Sequence, residues 1–219
     1  FQQNRLEYNL SHALWISADS DPMILNNTFW HNGGFATYII GSSSAFFQGS
    51  WTKGNRVNGI GMTGIFNDNM DLGRDMPYVV DGSLTVGQNV TLAIQPGAVV
   101  KFTEAAKITV DGILKAEGTV ENPVWFTSLK DDSIVGDTNG DNNNSVPAAG
   151  DWESILFTVF GGSSSLDHVV IRYGGSNPNT GAVMLYESAP ALNHLTVMGS
   201  AGRGLYVQSA APLVQNSVF

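Results

Sequence analysis

The sequence predicts an all-β solenoid in which short strands wind into coils of about 22–26 residues, and three observations carry that reading. Equivalent positions recur at a near-constant step along most of the chain. Apolar residues alternate in short pairs of strand period, and Gly, Pro, Asn and Asp clusters break each pair. No segment sustains a capped 3.6-residue period for more than about ten residues, which argues against ankyrin, tetratricopeptide or HEAT repeats. A β-sandwich would explain the strand spacing but not the recurrence.

Taken in chain order, Leu14–Phe29 (LWISADSDPMILNNTF) is similar to Leu205–Phe219 (LYVQSAAPLVQNSVF) with one residue of slack. Residues 1–77 therefore read as coils of the type that closes a solenoid, and residues 78–219 as a restart with further coils and a 130–151 loop insertion, the two being expected to form one continuous solenoid. Leu84 and Val86 recur as Ile108 and Val110, and Val100 and Phe102 as Val124 and Phe126, both 24 residues on. Turns fall at Gln95-Pro96-Gly97, Asp111-Gly112 and Glu121-Asn122-Pro123. Asp167–Ile171 recurs as Asn193–Val197 after 26 residues, and again as Gln215–Phe219 after 22. Pro190-Ala191-Leu192 matches Pro212-Leu213-Val214, a step of 22. Asn26 or Asn27, His168, His194 and Asn216 fall just after apolar strand pairs, where polar side chains at a tight turn can stack coil on coil. Stacking is the expected role of both histidines.

Composition narrows the function classes. A net charge of −9 with only ten Lys and Arg excludes a nucleic-acid surface, and polyanions would be repelled unless a cation mediates contact. The lack of cysteine removes disulfides, thiol catalysis and Cys-type zinc sites. No apolar run is long enough for a membrane span.

The stretches TLAIQPGAVVKF (91–102), ILKAEG (113–118), ENPVWFTS (121–128), GDWESILF (150–157) and DHVVIRYGG (167–175) resemble right-handed, single-stranded parallel β-helix domains of exported bacterial and archaeal proteins in the pectin-lyase-like superfamily. The resemblance runs from about Tyr78 to Phe219 and weakens before it. It implies a secreted or cell-surface protein, and a family of polysaccharide lyases and hydrolases, adhesins and structural modules. Reading Phe219 into Phe1 gives one more ordinary coil, so a fragment of a longer array, or a unit that self-associates end to end into a filament, is expected.

The repeat is interrupted between Lys130 and Asp151, where Val124 to Ile155 spans 31 residues, about seven more than one step. Asp137, Asn139, Asp141 and Asn143 alternate there as in the first half of an EF-hand-like Ca²⁺ loop, because a tight loop turns alternate oxygens inward. Asn142 stands at the sixth position and Ala148 at the twelfth, so Asp132 or Asp151 would have to close the site from the flanks. A second cluster, Asp68, Asp71 and Asp75, reads as a polar linker.

For catalysis, the family's lyases pair a cation with an Arg or Lys base. The basic candidates are Lys101, Lys107, Lys115, Lys130, Arg172 and Arg203; the carboxylates near the insertion are Asp131, Asp132, Asp151 and Glu153. No lyase or hydrolase motif maps onto them, and no residue is assigned a catalytic role. Tyr173, Tyr186 and Tyr206 with Arg172 are candidate glycan contacts, Tyr186 and Tyr206 being taken as equivalent positions that stack along one face. The expected function is a non-catalytic structural, adhesive or glycan-binding module, ordered by Ca²⁺; a polysaccharide-degrading enzyme, lyase before hydrolase, is the alternative.

Overall fold

A computed structural model describes residues 1–219. The chain is a parallel β-solenoid of about nine turns, with 47% strand and 1% helix. Every strand pair in it is parallel, as coil-on-coil stacking requires.

Three faces are continuous through most of the molecule. Face one carries Leu14–Ile16, Phe35–Ile40, the first halves of Val57–Phe66 and Tyr78–Val86, then Val99–Phe102, Val124–Ser128 and the second halves of Ser165–Arg172 and Ala191–Met198. Face two takes the second halves of Val57–Phe66 and Tyr78–Val86, then Lys107–Val110, Ile155–Phe157, Gly181–Tyr186 and Arg203–Gln208. Face three runs from Met70–Leu72 through Thr91–Ile94 and Ile113–Glu117 to the first halves of Ser165–Arg172 and Ala191–Met198, and ends at Val214–Gln215. Tyr78 pairs with Ile60, so the ladder runs on through position 78, with one register shift between Val80 and Leu84.

Each inward row is a column of apolar side chains one per coil. Ile16, Ile39, Met62, Val80 and Phe102 form one such column, and Leu72, Ile94, Ala116, Leu166 and Leu192 another. All ten are buried within a single cluster of 42 residues that reaches from Ile16 to Val197. Burial of this kind, at about 25 cal/mol per Å² of apolar area, is what holds one rung on the next.

The first coils differ from the rest. They carry an extra three-stranded sheet, Arg5–Glu7, Thr28–Trp30 and Trp51–Lys53, and a separate pair, Met23–Leu25 with Phe46–Gln48. Their step is 23 residues, and two asparagine ladders fix it. Asn27 Oδ1 accepts from the Asn4 amide at 2.9 Å, and Ser50 Oγ from the Asn27 amide at 3.1 Å. Alongside, Asn32 Oδ1 accepts from the Asn9 amide at 3.1 Å, and Asn55 Oδ1 from the Asn32 amide at 2.9 Å. Left-handed residues stack beside them: Gln3, Asn26 and Gly49 in one column, Tyr8, His31 and Gly54 in another.

Several registers correct the sequence reading. Val100 pairs with Phe126, not Val124, a step of 26. Leu14–Ile16 lies on face one whereas Leu205–Val207 lies on face two, so their similarity is not positional equivalence. The stacked polar turn holds for His168 and His194, which are both left-handed and whose rings lie 4.2 Å apart at 24°. Asn216 is left-handed too, but Asn26 and Asn27 belong to the separate turn of the first coils.

Candidate functional site: the acidic loop and its cleft

Ile108 pairs with Ile155, 47 residues on, so the insertion within that coil is nearly a full coil in size, larger than the sequence spacing indicates. The inserted segment leaves face one at Ser128 and folds back over its outer surface. Lys101, Thr127 and Arg172 form one outward row there, since Lys101 pairs with Thr127 and the next coil brings Arg172 beside it. All three meet Asp131 or its backbone. Thr127 Oγ1 donates to Asp131 Oδ2 at 2.6 Å, Lys101 Nζ donates to the Asp131 carbonyl at 2.8 Å, and Arg172 Nη1 lies 3.9 Å from Asp131 Oδ2. Asp131 is only 2% exposed and is the pin that docks the loop.

Lys101 is wholly buried, and its ammonium also donates to the Gly136 carbonyl at 3.1 Å. Burial lowers its pKa to about 8, while Asp132, Asp131 and Asp137 pull it back up. The unfolded chain therefore holds this proton to higher pH than the folded chain does, and stability rises with pH across that interval. Between pH 7.5 and 9.5 the expected gain is about 2 kcal/mol, read by urea unfolding, and Lys101→Met should abolish the gain. A pH-independent wild type, or a variant with the same rise, would refute this.

Beyond the pin, Asp132, Asp137 and Asp141 converge, one oxygen of each lying within 4.8 Å of the others. The alternate spacing acts as an EF-hand-like loop does: Asp137 accepts the Asp141 amide at 3.1 Å and the Asn142 amide at 2.9 Å, and Asn142 is left-handed (φ 57°), taking the place of the usual glycine. Asp141 is held ionised below the usual carboxylate range, chiefly by the Ser145 hydroxyl. Burial and the neighbouring Asp137 push Asp132 up.

The other loop residues separate into two groups. Asn139 Nδ2 donates to Asp141 and to Ser145, both at 2.9 Å, and its Oδ1 is buried without a partner. Both carboxylate oxygens of Asp132 are likewise buried and unpartnered. Those three bare oxygens beside Asp137 and Asp141 are the donor set that a hard cation takes, so the residues fit Ca²⁺. Asn143 is exposed and bonds nothing, and Asp151 faces elsewhere, accepting from Ser128 Oγ at 2.7 Å and Lys130 Nζ at 3.0 Å. Of the two flanking carboxylates, Asp132 is the one beside the cluster.

The glycan candidates do not form a row. Tyr206 pairs with Met184, and Tyr186 with Gln208, which puts the tyrosines two residues out of step. Tyr173 is itself the left-handed turn residue (φ 64°) that follows Ser165–Arg172, outside the face-two strands that carry the other two, and Arg172 lies over Trp125, 4.7 Å from the ring centroid, beneath the loop.

A cleft that the sequence does not announce lies where the extra sheet of the first coils ends. It has a volume of about 330 Å³, between Trp51 and Lys53 on one side, Arg74 and Asp75 on another, and Val135 and Asp137 of the loop on the third. Asn58 fastens the loop to this edge, its amide donating to the Thr138 carbonyl at 2.7 Å. Trp51 is 47% exposed. Val135, at φ 54°, is a β-branched residue in the left-handed region, a strained backbone that keeps an apolar side chain on the cleft wall. Of the second acidic cluster only Asp75 reaches the cleft, while Asn69 caps the Thr91 amide at 2.7 Å.

The class is thus a parallel β-solenoid with a docked acidic loop. No protein-family profile matches the chain, and comparisons with curated proteins and with solved structures return no match. No helix is long and apolar enough to cross a membrane.

Proposed function

We propose that the chain is a non-catalytic, secreted or cell-surface module of pectin-lyase-like ancestry that binds a glycan in the cleft beside Trp51 and holds Ca²⁺ in the acidic loop. The observation that carries this reading is that Asp137 belongs to both places: it joins the carboxylate cluster and lines the cleft opposite Trp51. An exposed indole offers a sugar ring an apolar face, Lys53 and Arg74 offer hydrogen-bond donors to hydroxyl or carboxylate groups, and a cation in the loop shapes the third wall.

A lyase needs a free base facing its substrate. Lys101 faces the carboxylates but is sealed under the loop, with two of its hydrogens on backbone carbonyls. Arg172 is taken up by Trp125 and the loop. Neither supports proton abstraction; Lys53 and Arg74, which line the cleft itself, are the basic groups left to a lyase reading, and the activity screen below tests them.

Titration calorimetry with Ca²⁺ should give one site with a dissociation constant of roughly 10⁻⁴–10⁻³ M, as in extracellular modules. Asp132→Asn should weaken it at least about tenfold, while Asn143→Gly, at an exposed, unbonded and left-handed position, leaves it near wild type. Screening against acidic and neutral oligosaccharides should find a ligand whose binding is lost in Trp51→Ala. Appearance of unsaturated sugar ends or reducing sugar in the same mixtures would overturn the non-catalytic reading in favour of a lyase or a hydrolase.

A further inference from the structure

Asp167, His168 and His194 lie at the turn between faces three and one, at the other end of face one from Arg172 of the acidic loop's row. Asp167 and His168 are neighbours in one strand, and the register of Asp167 with Asn193 sets His194 directly over His168 one coil later. Both imidazoles bring Nδ1 close to one oxygen: His194 Nδ1 is hydrogen-bonded to Asp167 Oδ1 at 3.0 Å, and His168 Nδ1 lies 2.9 Å from the same atom without hydrogen-bonding alignment.

Both histidines are left-handed, at φ 50° and 46°, a conformation that is uncommon for residues with a Cβ and that Asn, Asp and His adopt more readily than the rest. The next coil solves the same turn with Asn216 at φ 50°. Asparagine and histidine both suit this turn, and what two successive histidines add is ring nitrogen. Left-handed backbone at both also fixes the direction of each Cβ, so the rings stack instead of diverging.

We propose that Asp167, His168 and His194 form a site for a borderline divalent transition metal, with Zn²⁺ as the ion of choice. Two neutral imidazoles and one carboxylate are the donor set of three-ligand zinc sites, and they do not suit Ca²⁺, which takes oxygen. With zinc–ligand arms of about 2.0–2.1 Å in a tetrahedron, donor atoms stand about 3.3 Å apart. All three donor atoms already lie within 4.8 Å of one another; closing on one ion requires the two nitrogen–oxygen separations to open by a few tenths of an ångström and the stacked rings, 4.2 Å apart at 24°, to turn until each plane contains the ion. His168 is 24% exposed, and Asp167 and His194 40% and 42%, so the fourth position opens to water. The metal would tie two consecutive coils together by side chains where the backbone ladder passes through a turn. This site is independent of the acidic loop, and neither depends on the other.

The test is titration with ZnCl₂ of the full chain presaturated with Ca²⁺. One zinc per chain at micromolar affinity, with a higher melting temperature, is the expected result. His194→Asn and His168→Asn keep a side chain suited to the left-handed turn, and each should weaken zinc at least about tenfold, whereas Asp132→Asn should leave it unchanged. Zinc-edge absorption on the wild-type complex should show scattering from two imidazoles, which needs no variant to fold. Absence of zinc binding, affinity equal to wild type in the double His→Asn variant, or a shell without imidazole would each overturn the proposal.

Discussion

Trp152→Ala should lower the stability of the solenoid by about 4 kcal/mol and the melting temperature by about 10 °C. The indole is wholly buried and lies flat on Phe102, with centroids 4.0 Å apart and planes at 9°. Its Nε1 donates to the Arg172 carbonyl at 2.8 Å, so truncation opens a large cavity and also strands a backbone acceptor. Trp152 follows Asp151 at the point where the inserted loop re-enters the coil, and its own carbonyl accepts from the Ser176 amide at 3.2 Å. Losing this anchor should therefore loosen the end of the loop, and Ca²⁺ affinity should fall in parallel with the melting temperature. Trp51→Ala is the contrast: half exposed at the cleft, it should cost under about 1 kcal/mol in stability. Paired thermal melts of the two variants decide the matter, and equal losses would contradict the assignment of one indole to the core and the other to the surface.

Which parts of this architecture were legible follows from strand geometry. The steps from Leu84 to Ile108, from Asp167 to Asn193 and from Leu192 to Val214 are the registers that the structure has. The match of Val100 to Val124 is wrong by two residues, and so is that of Tyr186 to Tyr206. A one-residue slip would turn every side chain to the other face, and the apolar pattern forbids it. A two-residue slip keeps each side chain on its face, so Val124 and Phe126, both buried, fit the pattern equally well. Alternation determines sidedness and is silent on even-numbered shifts.

The acidic loop shows the same division. Asp137, Asp141 and Asn142 owe their placement to contacts within six residues, and their spacing announced it. Asp132 and Asp151 were indistinguishable as closing ligands, because the choice rests on Asp131 being pinned by Lys101, Thr127 and Arg172 from three different coils. The cleft was invisible for the same reason: Trp51, Arg74 and Asp137 meet only once the extra sheet ends and the loop folds over the step. The 23-residue recurrence of Asn9, Asn32 and Asn55 was available in the sequence and is the signal by which the first coils' ladder could have been found.

That ladder reaches the proposed site, and the second large effect follows from it. Asn55 is 2% exposed; its Oδ1 accepts from the Asn32 amide at 2.9 Å and from Asn32 Nδ2 at 2.7 Å, while its Nδ2 donates to the Phe29 carbonyl at 2.9 Å. The Asn55 backbone N–H and Nδ2 both donate to Asn58 Oδ1, at 3.0 and 3.3 Å, and Asn58 Nδ2 donates to the Asp137 carbonyl at 3.4 Å, so Asn55→Ala removes the side-chain half of this link. Asn55→Ala leaves several buried donors and acceptors bare, each costing about 1 kcal/mol or more, so a loss of about 3 kcal/mol is expected. The parallel ladder provides the control. Asn27 is equally buried and bonded, but its ladder ends at Ser50, whose hydroxyl turns back to the Ile24 carbonyl at 3.3 Å. Asn27→Ala should destabilise by a similar amount and leave the loop where it is. Measured below the melting transition of both variants, Ca²⁺ affinity should drop in Asn55→Ala and hold in Asn27→Ala. If both variants lose affinity alike, the loop responds to general loosening of the coils and not to the chain of amides from Asn9 to Asp137.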